Sequence, residues 1–503
     1  MKVVAVVDLG TESCRVALLR ADGSLVGMVA RQYPLSCPHP GWAEQRPQEW
    51  WDAACGAFRE LLASSDVPAG AIAAVAVAGQ MHGVVPTDGA GNATAESVLL
   101  WCDKRSAELC RAFDPDERSK LERLAGNALV PAWMAPKIAW LQRHRRADLQ
   151  GAEAILGAKD YLNARLTGVL ATDPSEASGT FLYDAFQERW SDTLCDAFGI
   201  DVGSLPPVFR SDGVIGTVSR DGARATGLPE GTPVAAGGGD MLCLLLGAGL
   251  TRPETVVDVT GTAADISVLS PQPIDDRRLL NLRHVIDGWV TFGILDAGGG
   301  SLRWLREVLE PTLEARSYEG LSERAASSPP GANWLLYLPY LQGERTLGSA
   351  DARGVFFGLA AHHGRGDLVR AVMEGVAFDL RQTIEILREH GRAIDLVTVT
   401  GGGSASDLWN QIKADIYRAE IVALEQNEGG IVGAAILAGL AAGWWQDPTE
   451  ATAAFVRPRA RYAPDLSRLA RYDRLYGIFQ ELHDGLQGPF ERLARTRDEV
   501  TEA

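Results

Sequence analysis

The sequence lacks the features that would tie it to an oxidising compartment, a membrane or a nucleic acid. Its seven cysteines (Cys14, Cys37, Cys55, Cys102, Cys110, Cys195 and Cys243) are scattered, odd in number and never spaced as CxxC. That excludes a disulfide framework and a Cys-based zinc site, and implies reduced thiols and a cytoplasmic address. No apolar run reaches the ~20 residues of a membrane span. The longest, Ile431 to Trp445, is rich in Gly and Ala and is predicted to be a buried helix. The apolar start, Val3 to Val7, is too short for a signal peptide. Basic residues are outnumbered 48 to 65, a net charge of −17. Displacing DNA counterions needs clustered cations, so no nucleic-acid partner is expected. There is no GxxxxGK(S/T), GxSxG or HExxH, which removes a P-loop, a hydrolase elbow and a zincin helix. The Gly-rich turns also lack the GxGxxG spacing of a dinucleotide site.

What the chain does contain is a layout that repeats. With 503 residues, 46% apolar and 22% charged, it is long enough to bury a core without disulfides or a structural metal. Val3 to Val7 is a continuous β-branched and Ala run, the pattern of a strand covered on both faces. It ends in a polar Asp8-Leu9-Gly10-Thr11 tip. Cys14 to Leu19 and Leu25 to Arg31 follow as strands around an Asp22-Gly23 hairpin signal. Pro47 to Ala63 predicts a helix with Trp50, Trp51 and Phe58 on apolar positions, and Ala71 to Ala78 a buried strand ending in Gly79-Gln80-Met81-His82-Gly83. Helices are predicted near 105–112, 118–124 and 134–146. A short strand, Pro233 to Ala236, then ends in Gly237-Gly238-Gly239-Asp240, before a helix over Met241 to Gly249. The plan restarts with a strand over Glu254 to Val259, a Thr260-Gly261-Thr262 tip, and strands over Ala264 to Leu269 and Trp289 to Gly293. Asp367 to His390 carries the apolar stripe of a long helix, and Leu396 to Val399 is a strand ending in Gly401-Gly402-Gly403-Ser404 before a helix over Leu408 to Tyr417. The tail, about 464 to 495, is predicted as one or two charged amphipathic helices. Two apolar strand–tip–strand units imply duplicated domains meeting at a cleft lined by both tips, with the boundary near 246–254.

Each motif has a plain reading beside a chemical one. Asp8 to Ser13 is either a polar hairpin tip or a concavity of backbone N–H groups that suits phosphate, with Asp8 placed to hold Mg²⁺ through water. Thr260-Gly261-Thr262 is a plain turn, or the second half of a grip on one phosphate chain. Asp240 sits where a strand yields to a helix, as an N-cap or as a carboxylate facing a ligand. Gly401 to Ser404 is a tight strand-to-helix turn, or a surface on which a base or ribose can lie against bare backbone. His82 has no second His at metal-ligand spacing, and Trp101, Asp103 and Arg105 read as a solvated helix start or as a polar cluster for hydroxyls.

In this order, the motifs resemble the FGGY carbohydrate kinase family, and most closely its xylulokinase members. The similar segments are DLGTESCR from residue 8, AGQMHG at 78–83, LWCDKRS at 100–106, APK at 135–137, KDYLNARLTG at 159–168 and TDPSEASGT at 172–180. AAGGGD at 235–240, DVTGT at 258–262, YLPYLQGERT at 337–346, DARGVFFGL at 351–359, TGGGSASDLWNQIKAD at 400–415 and EGGIVGAAILAG at 428–439 complete the run. The letters FGGY themselves do not occur. The resemblance implies an α/β fold of two RNase-H-like domains of the actin, sugar kinase and Hsp70 superfamily flanking a catalytic cleft. It implies an N-terminal sugar-binding domain over 1–248 with the first phosphate loop, a nucleotide-binding domain over 249–450, and a helical tail over 451–503 packed on the core. It implies ATP-dependent phosphorylation of a sugar hydroxyl, D-xylulose to D-xylulose 5-phosphate. Asp240 would then be the general base and Asp8 the acidic residue by Mg²⁺, with both carboxylates near the metal. Met81, His82, Trp101 and Asp103 fall on substrate positions. Gly10, Thr11, Ser13, Arg15, Gly261, Thr262, Gly402 and Gly403 fall on nucleotide positions. A homodimer is also implied, and no membrane. Met241 departs from the Asn that xylulokinases often carry there, and Cys102 and Lys104 depart from Asn and Gly, so another ketose, polyol or sugar acid such as ribulose, erythritol or gluconate stays open. The rival of another class is an actin-like or Hsp70-like ATPase with no sugar substrate, which would not need the elements at 79–83 and 101–105.

Overall fold

The computed structural model describes residues 2–309, 317–348, 350–426 and 428–501. The opening run forms β1 (Val3–Leu9), every residue of it buried. The β-branched residues fill both faces of a central strand, so the pattern is continuous rather than alternating. β1 pairs antiparallel with β2 (Ser13–Leu19), which pairs with β3 (Leu25–Gln32). On its other side β1 runs parallel to β4 (Ile72–Gly79). β5 (Val214–Thr217) and β6 (Pro233–Ala235) extend this sheet beyond β4, and the two-residue β7 (Gly238–Gly239) also pairs with β4.

A second seven-stranded sheet repeats the plan. β8 (Val256–Thr260) pairs antiparallel with β9 (Ala264–Ser270), and β10 (Leu280–Arg283) forms the edge beyond β11 (Trp289–Leu295). On the other side β8 runs parallel to β12 (Leu396–Thr400), which runs parallel to β13 (Glu420–Leu424). In both halves a central strand is flanked by an antiparallel meander and a parallel neighbour, which matches the repeat read in the sequence. Sequence reading passed over β5, β10 and β13. It also predicted only helix in the tail, yet Pro458–Tyr462 is strand β14 at the sheet edge. Edge strands tolerate the proline there because its missing N–H need not enter the ladder. A helix over Pro448–Phe455 precedes this strand, and beyond it the chain forms one helix from Leu466 to Thr501 with Pro489 inside it.

The helices place the site. α1 (Pro47–Ser64) buries Trp50, Trp51 and Phe58 as expected. α2 (Asp240–Gly247) follows β7, α3 (Gly298–Leu309) follows β11, and α4 (Arg365–Glu389) is the long striped helix. α5 (Asp407–Tyr417) follows β12, and α6 (Gly429–Ala441) is the buried Gly/Ala helix. It stops before Trp444 and Trp445, which stack edge to face beyond its end. Although α6 lies between β13 and β14 of the second sheet in sequence, it packs on β1, β4 and α2 of the first half. Its glycines permit this. A Cβ on Gly433 would overlap the Cys243 carbonyl oxygen, and one on Gly247 would overlap that of Gly429. A further link joins β10 to the first half: Asn281 N donates to Asn127 Oδ1 at 2.7 Å, and Asn127 Nδ2 returns a bond to the Asn281 carbonyl at 2.7 Å.

Candidate active site

Three motifs separated in sequence meet at one edge of the first sheet. Leu9 pairs with Gly79 in the parallel ladder, and Gly79 pairs with Gly239. The tip after β1, the Gln80-Met81-His82 segment after β4 and Asp240 after β7 therefore leave the carboxyl ends of adjacent parallel strands, where α/β sheets bind ligands. The glycine at 239 is required: a Cβ there would stand 2.5 Å from Met81 Sδ.

Asp240 is not the N-cap. Gly239 occupies that position, and Asp240 is the first helical residue, half-buried, its Oδ1 accepting from Met241 N at 2.8 Å. Burial pushes its pKa up to about 7, and the neighbouring Asp8 charge pushes the same way. Asp8, buried at the end of β1, sits directly across the ladder from Arg15, whose guanidinium bonds both it and Glu428. Burial raises the Asp8 pKa while Arg15 opposes the rise. A Cβ on Gly430 would stand 3.0 Å from Asp8 Oδ2, so Asp8 lies against the first turn of α6.

A buried polar network presents Asp240. Gly239 N donates to Ser175 Oγ at 2.9 Å, and Ser175 Oγ and Ser211 Oγ donate to Asp173 at 2.6 and 2.7 Å. Lys159 bridges Asp160 and Asp173, all three fully enclosed, and Asn163 Nδ2 donates to the Ala236 carbonyl at 2.8 Å. Sequence reading did not single these residues out. They lie in the polar segments KDY at 159–161 and TDPSE at 172–176, whose burial no local pattern reveals.

His82 has φ 62°, a left-handed conformation that non-glycine residues rarely adopt. Its N–H donates to Glu176 at 2.9 Å, its carbonyl accepts from Lys137 Nζ at 2.7 Å, and its ring meets Trp133 edge-on at 4.9 Å. Burial, helped by the Lys137 charge, drops its pKa to about 3, so the ring is neutral and offers one donor and one acceptor. Its Nδ1 finds no partner among the described residues. Trp101, half-buried, donates its indole N–H to Thr11 Oγ1 at 3.0 Å, which ties the substrate-side loop to the first tip.

Asp103 does not join them. It is wholly buried, accepts from Ala43 N at 2.7 Å, and is clasped by Arg105, whose guanidinium stacks 3.7 Å over Trp42 and also reaches Glu44. With its lone pairs taken and solvent excluded, Asp103 shapes the loop carrying Trp101 rather than meeting a ligand. The reading of 101–105 as a solvated helix start also fails.

In the second half, Val259 pairs with Thr400, which sets the tip at Gly261 and Thr262 beside the turn at Gly401 to Gly403. Gly401 has φ +81°, and a Cβ there would stand 2.7 Å from the Thr260 carbonyl. Gly402 is exposed with open space above it, as a flat ligand would need. Gly10, Thr11 and Ser13 stay partly exposed around the first tip, and Gly261 and Thr262 are exposed at the second. Beneath the second tip, fully buried Lys413 bonds Asp258 at 2.8 Å and Thr260 Oγ1 at 2.7 Å, and Tyr417 donates to Asp258 at 2.8 Å. Among the described residues no three His, Cys, Asp or Glu side chains converge as a metal cage, and no helix is long and apolar enough to cross a membrane.

Two sequence models of the FGGY family of carbohydrate kinases match this chain, the N-terminal domain over residues 3–247 and the C-terminal domain over 257–442. A xylulose kinase of Bacillus subtilis (strain 168) is 32% identical over 489 residues, covering 96% of this chain and 97% of its own. The crystal structure of xylulose kinase from Rhodospirillum rubrum superposes with a TM-score of 0.88 at 32% identity, covering 97% of this chain and all of that one. The crystal structure of gluconate kinase from Lactobacillus acidophilus gives 0.91 at 25% identity, covering 98% and 100%.

Proposed function

Because the chain belongs to the FGGY family of carbohydrate kinases, with its duplicated actin-like fold and its use of sugar and ATP, we propose that it is a xylulokinase with Asp240 as general base. The observation that carries the base assignment is a half-buried carboxylate at a helix N-terminus, with a pKa near 7, held by a buried network at the edge where the motifs meet. A base poised near neutrality transfers protons efficiently.

The sugar hydroxyl oxygen bonds to the γ-phosphorus of ATP as its proton passes to Asp240. The bond from that phosphorus to the bridging oxygen breaks, and its electrons leave with ADP. Neutral His82 and the Trp101–Thr11 pair orient the sugar beside Met81. The backbone of Thr11 to Ser13, in a turn closed by the Gly10 N–H on the Ser13 carbonyl, faces one side of the phosphate chain together with Arg15, and Gly261 and Thr262 face the other. Gly402 and Gly403 carry the nucleoside. Such positioning and charge balance supply most of the rate in phosphoryl transfer. Asp8 and Asp240 fit Mg²⁺ arriving on the nucleotide, since that ion keeps its waters and takes only one or two carboxylates. Bound there, it would offset phosphate charge.

The reading divides the chain into a sugar-binding part over 1–248, a nucleotide-binding part over 249–450 and a tail from 451. The enzyme is a cytoplasmic homodimer in this reading, consistent with seven free thiols. The test is ADP release with MgATP and a panel of ketoses, polyols and sugar acids. Release with D-xylulose alone supports the full proposal. Release with another member, gluconate included, keeps the kinase and reassigns the sugar, the outcome that Met241 beside the base would explain. Hydrolysis that no sugar stimulates would refute it in favour of an ATPase.

A further inference from the structure

One charged group near the cleft has no role in this reading. Arg345 lies in the segment after Tyr340, half-buried, with its guanidinium on Asp296. Asp296 follows β11 directly, two residues before the start of α3. In that turn Gly299 N donates to the Gly261 carbonyl at 2.9 Å and Gly300 N to the Thr262 carbonyl at 3.0 Å. Arg345 is thus stationed beside the second phosphate tip. Its charge also bears on His82 of the first half, helping to keep that ring neutral. Next to it, Thr346 Oγ1 is enclosed yet finds no partner among the described residues.

The segment carrying Arg345 is clamped from behind by the C-terminal helix. Buried His483 donates to Glu344 at 3.1 Å and to Asp484 at 3.0 Å, and Glu344 also accepts from Leu347 N at 2.7 Å. Tyr340 donates to buried Asp379 at 2.9 Å, and its ring meets that of His483 at 5.7 Å. Gln487 returns a bond to the His483 carbonyl at 2.9 Å. Burial opposes a charge on His483, but the bonds to Glu344 and Asp484 outweigh it and raise its pKa to about 9. Asp379 adds to that field.

We propose that Arg345 is a catalytic cation for the phosphoryl group in flight, released from Asp296 to the γ-phosphate, and that the His483–Glu344 clasp positions it. A planar guanidinium with parallel donors suits the equatorial oxygens of a transferring phosphoryl group. Held against a carboxylate until nucleotide arrives, it is kept off water and off the wrong anion. The proposal rests on the kinase reading, so wild-type ADP release with the sugar panel is measured first and judges that reading alone.

The test then compares Arg345→Ala and Arg345→Lys with wild type. Circular dichroism checks that both are folded, and calorimetry measures affinity for MgADP with aluminium fluoride, a mimic of the transferring group. That affinity is read whether or not a sugar has been identified. Arg345→Ala is expected to lower kcat about 10³-fold, in the range of a phosphoryl-stabilising arginine, with KM for sugar and MgATP within about threefold, since only the transition state loses a partner. It should lose affinity for the fluoride complex but keep that for MgADP, and added guanidinium should restore part of the rate. An Ala variant within tenfold of wild-type kcat, a loss confined to KM, or undiminished fluoride binding would each overturn the assignment. Should Ala not fold, Lys carries the same test: it keeps the charge but loses the fork, and an unchanged kcat and fluoride affinity in it would refute the proposal. His483→Gln should cost about tenfold in kcat and remove the fall in rate above pH about 9 that loss of the His483 proton gives wild type. An unaltered kcat and profile in that variant would overturn the clasp.

Discussion

Asp240→Asn should cripple turnover and stabilise the fold at once, by amounts that depend on pH. The carboxylate is the proposed base, so its loss should lower kcat by about 10²–10⁴-fold, or roughly 3–5 kcal/mol at 1.36 kcal/mol per decade. The same group is strained by its site. Burial, with the Asp8 charge behind it, lifts its pKa from 3.8 to about 7. Between those values the native state holds a proton that the unfolded chain has released, so stability falls as pH rises through this window and is flat above it. Three units correspond to roughly 4 kcal/mol, a ceiling, since the residue keeps some contact with solvent. Asparagine removes the ionisation, so the variant should match wild type near pH 4, melt higher at pH 8, and draw away from it progressively between. In wild type, log(kcat/KM) should rise with unit slope below about pH 7 and level off above it, while the kcat profile of the nucleotide-bound enzyme bends at lower pH because a bound cation favours the carboxylate. Thermal melts at pH 4, 6 and 8, with coupled ADP assays from pH 5.5 to 8.5, give both curves. A kcat within tenfold of wild type would refute the base assignment. Equal melting temperatures at pH 8 would refute the strained carboxylate.

Three further substitutions probe the supports of the site. Lys413→Met leaves Asp258 buried without its cation and should lose about 3–5 kcal/mol in urea unfolding; a loss under about 1 kcal/mol would mean that the pair does not hold the second tip. Gly433→Ala forces a methyl into the Cys243 carbonyl and should cost more than about 2 kcal/mol by pushing α6 off α2, with a wild-type melting temperature as the contrary result. Trp101→Phe keeps the ring but loses the bond to Thr11, worth about 1 kcal/mol, so KM for the sugar should rise about fivefold with kcat little changed; an unchanged KM would remove Trp101 from the sugar side.

Much of this was legible because some local patterns have only one structural outlet. A seven-residue run such as Val3–Leu9, apolar but for Asp8, can satisfy its backbone only as a covered central strand, and Gly-rich tips after such strands must turn sharply. The repeat of that unit marked two sheets with the same order around β1 and β8. β14 was missed because Pro458–Tyr462 has little apolar signal of its own and is strand only by pairing with β13. Asp240 as N-cap was a fair local reading, but the backbone gave that position to Gly239, which Met81 leaves no room to enlarge.

The sequence by itself determined the duplicated layout, the acidic composition, and the positions of Asp8, Asp240 and the four glycine turns, since each follows from short-range pattern and composition. Only the tertiary structure decided which charges are free to act. Asp103 and Arg105 read as site residues in the chain, but fold into each other and are spent. Asp173, Lys159 and Lys413 read as ordinary charges, but fold into the interior and hold the loops that matter. Asp8 and Asp240, 232 positions apart in the numbering, gain their raised pKa values only where folding brings them together and removes water. Ionisation depends on solvent and neighbours, and neither is written in a residue's place along the chain.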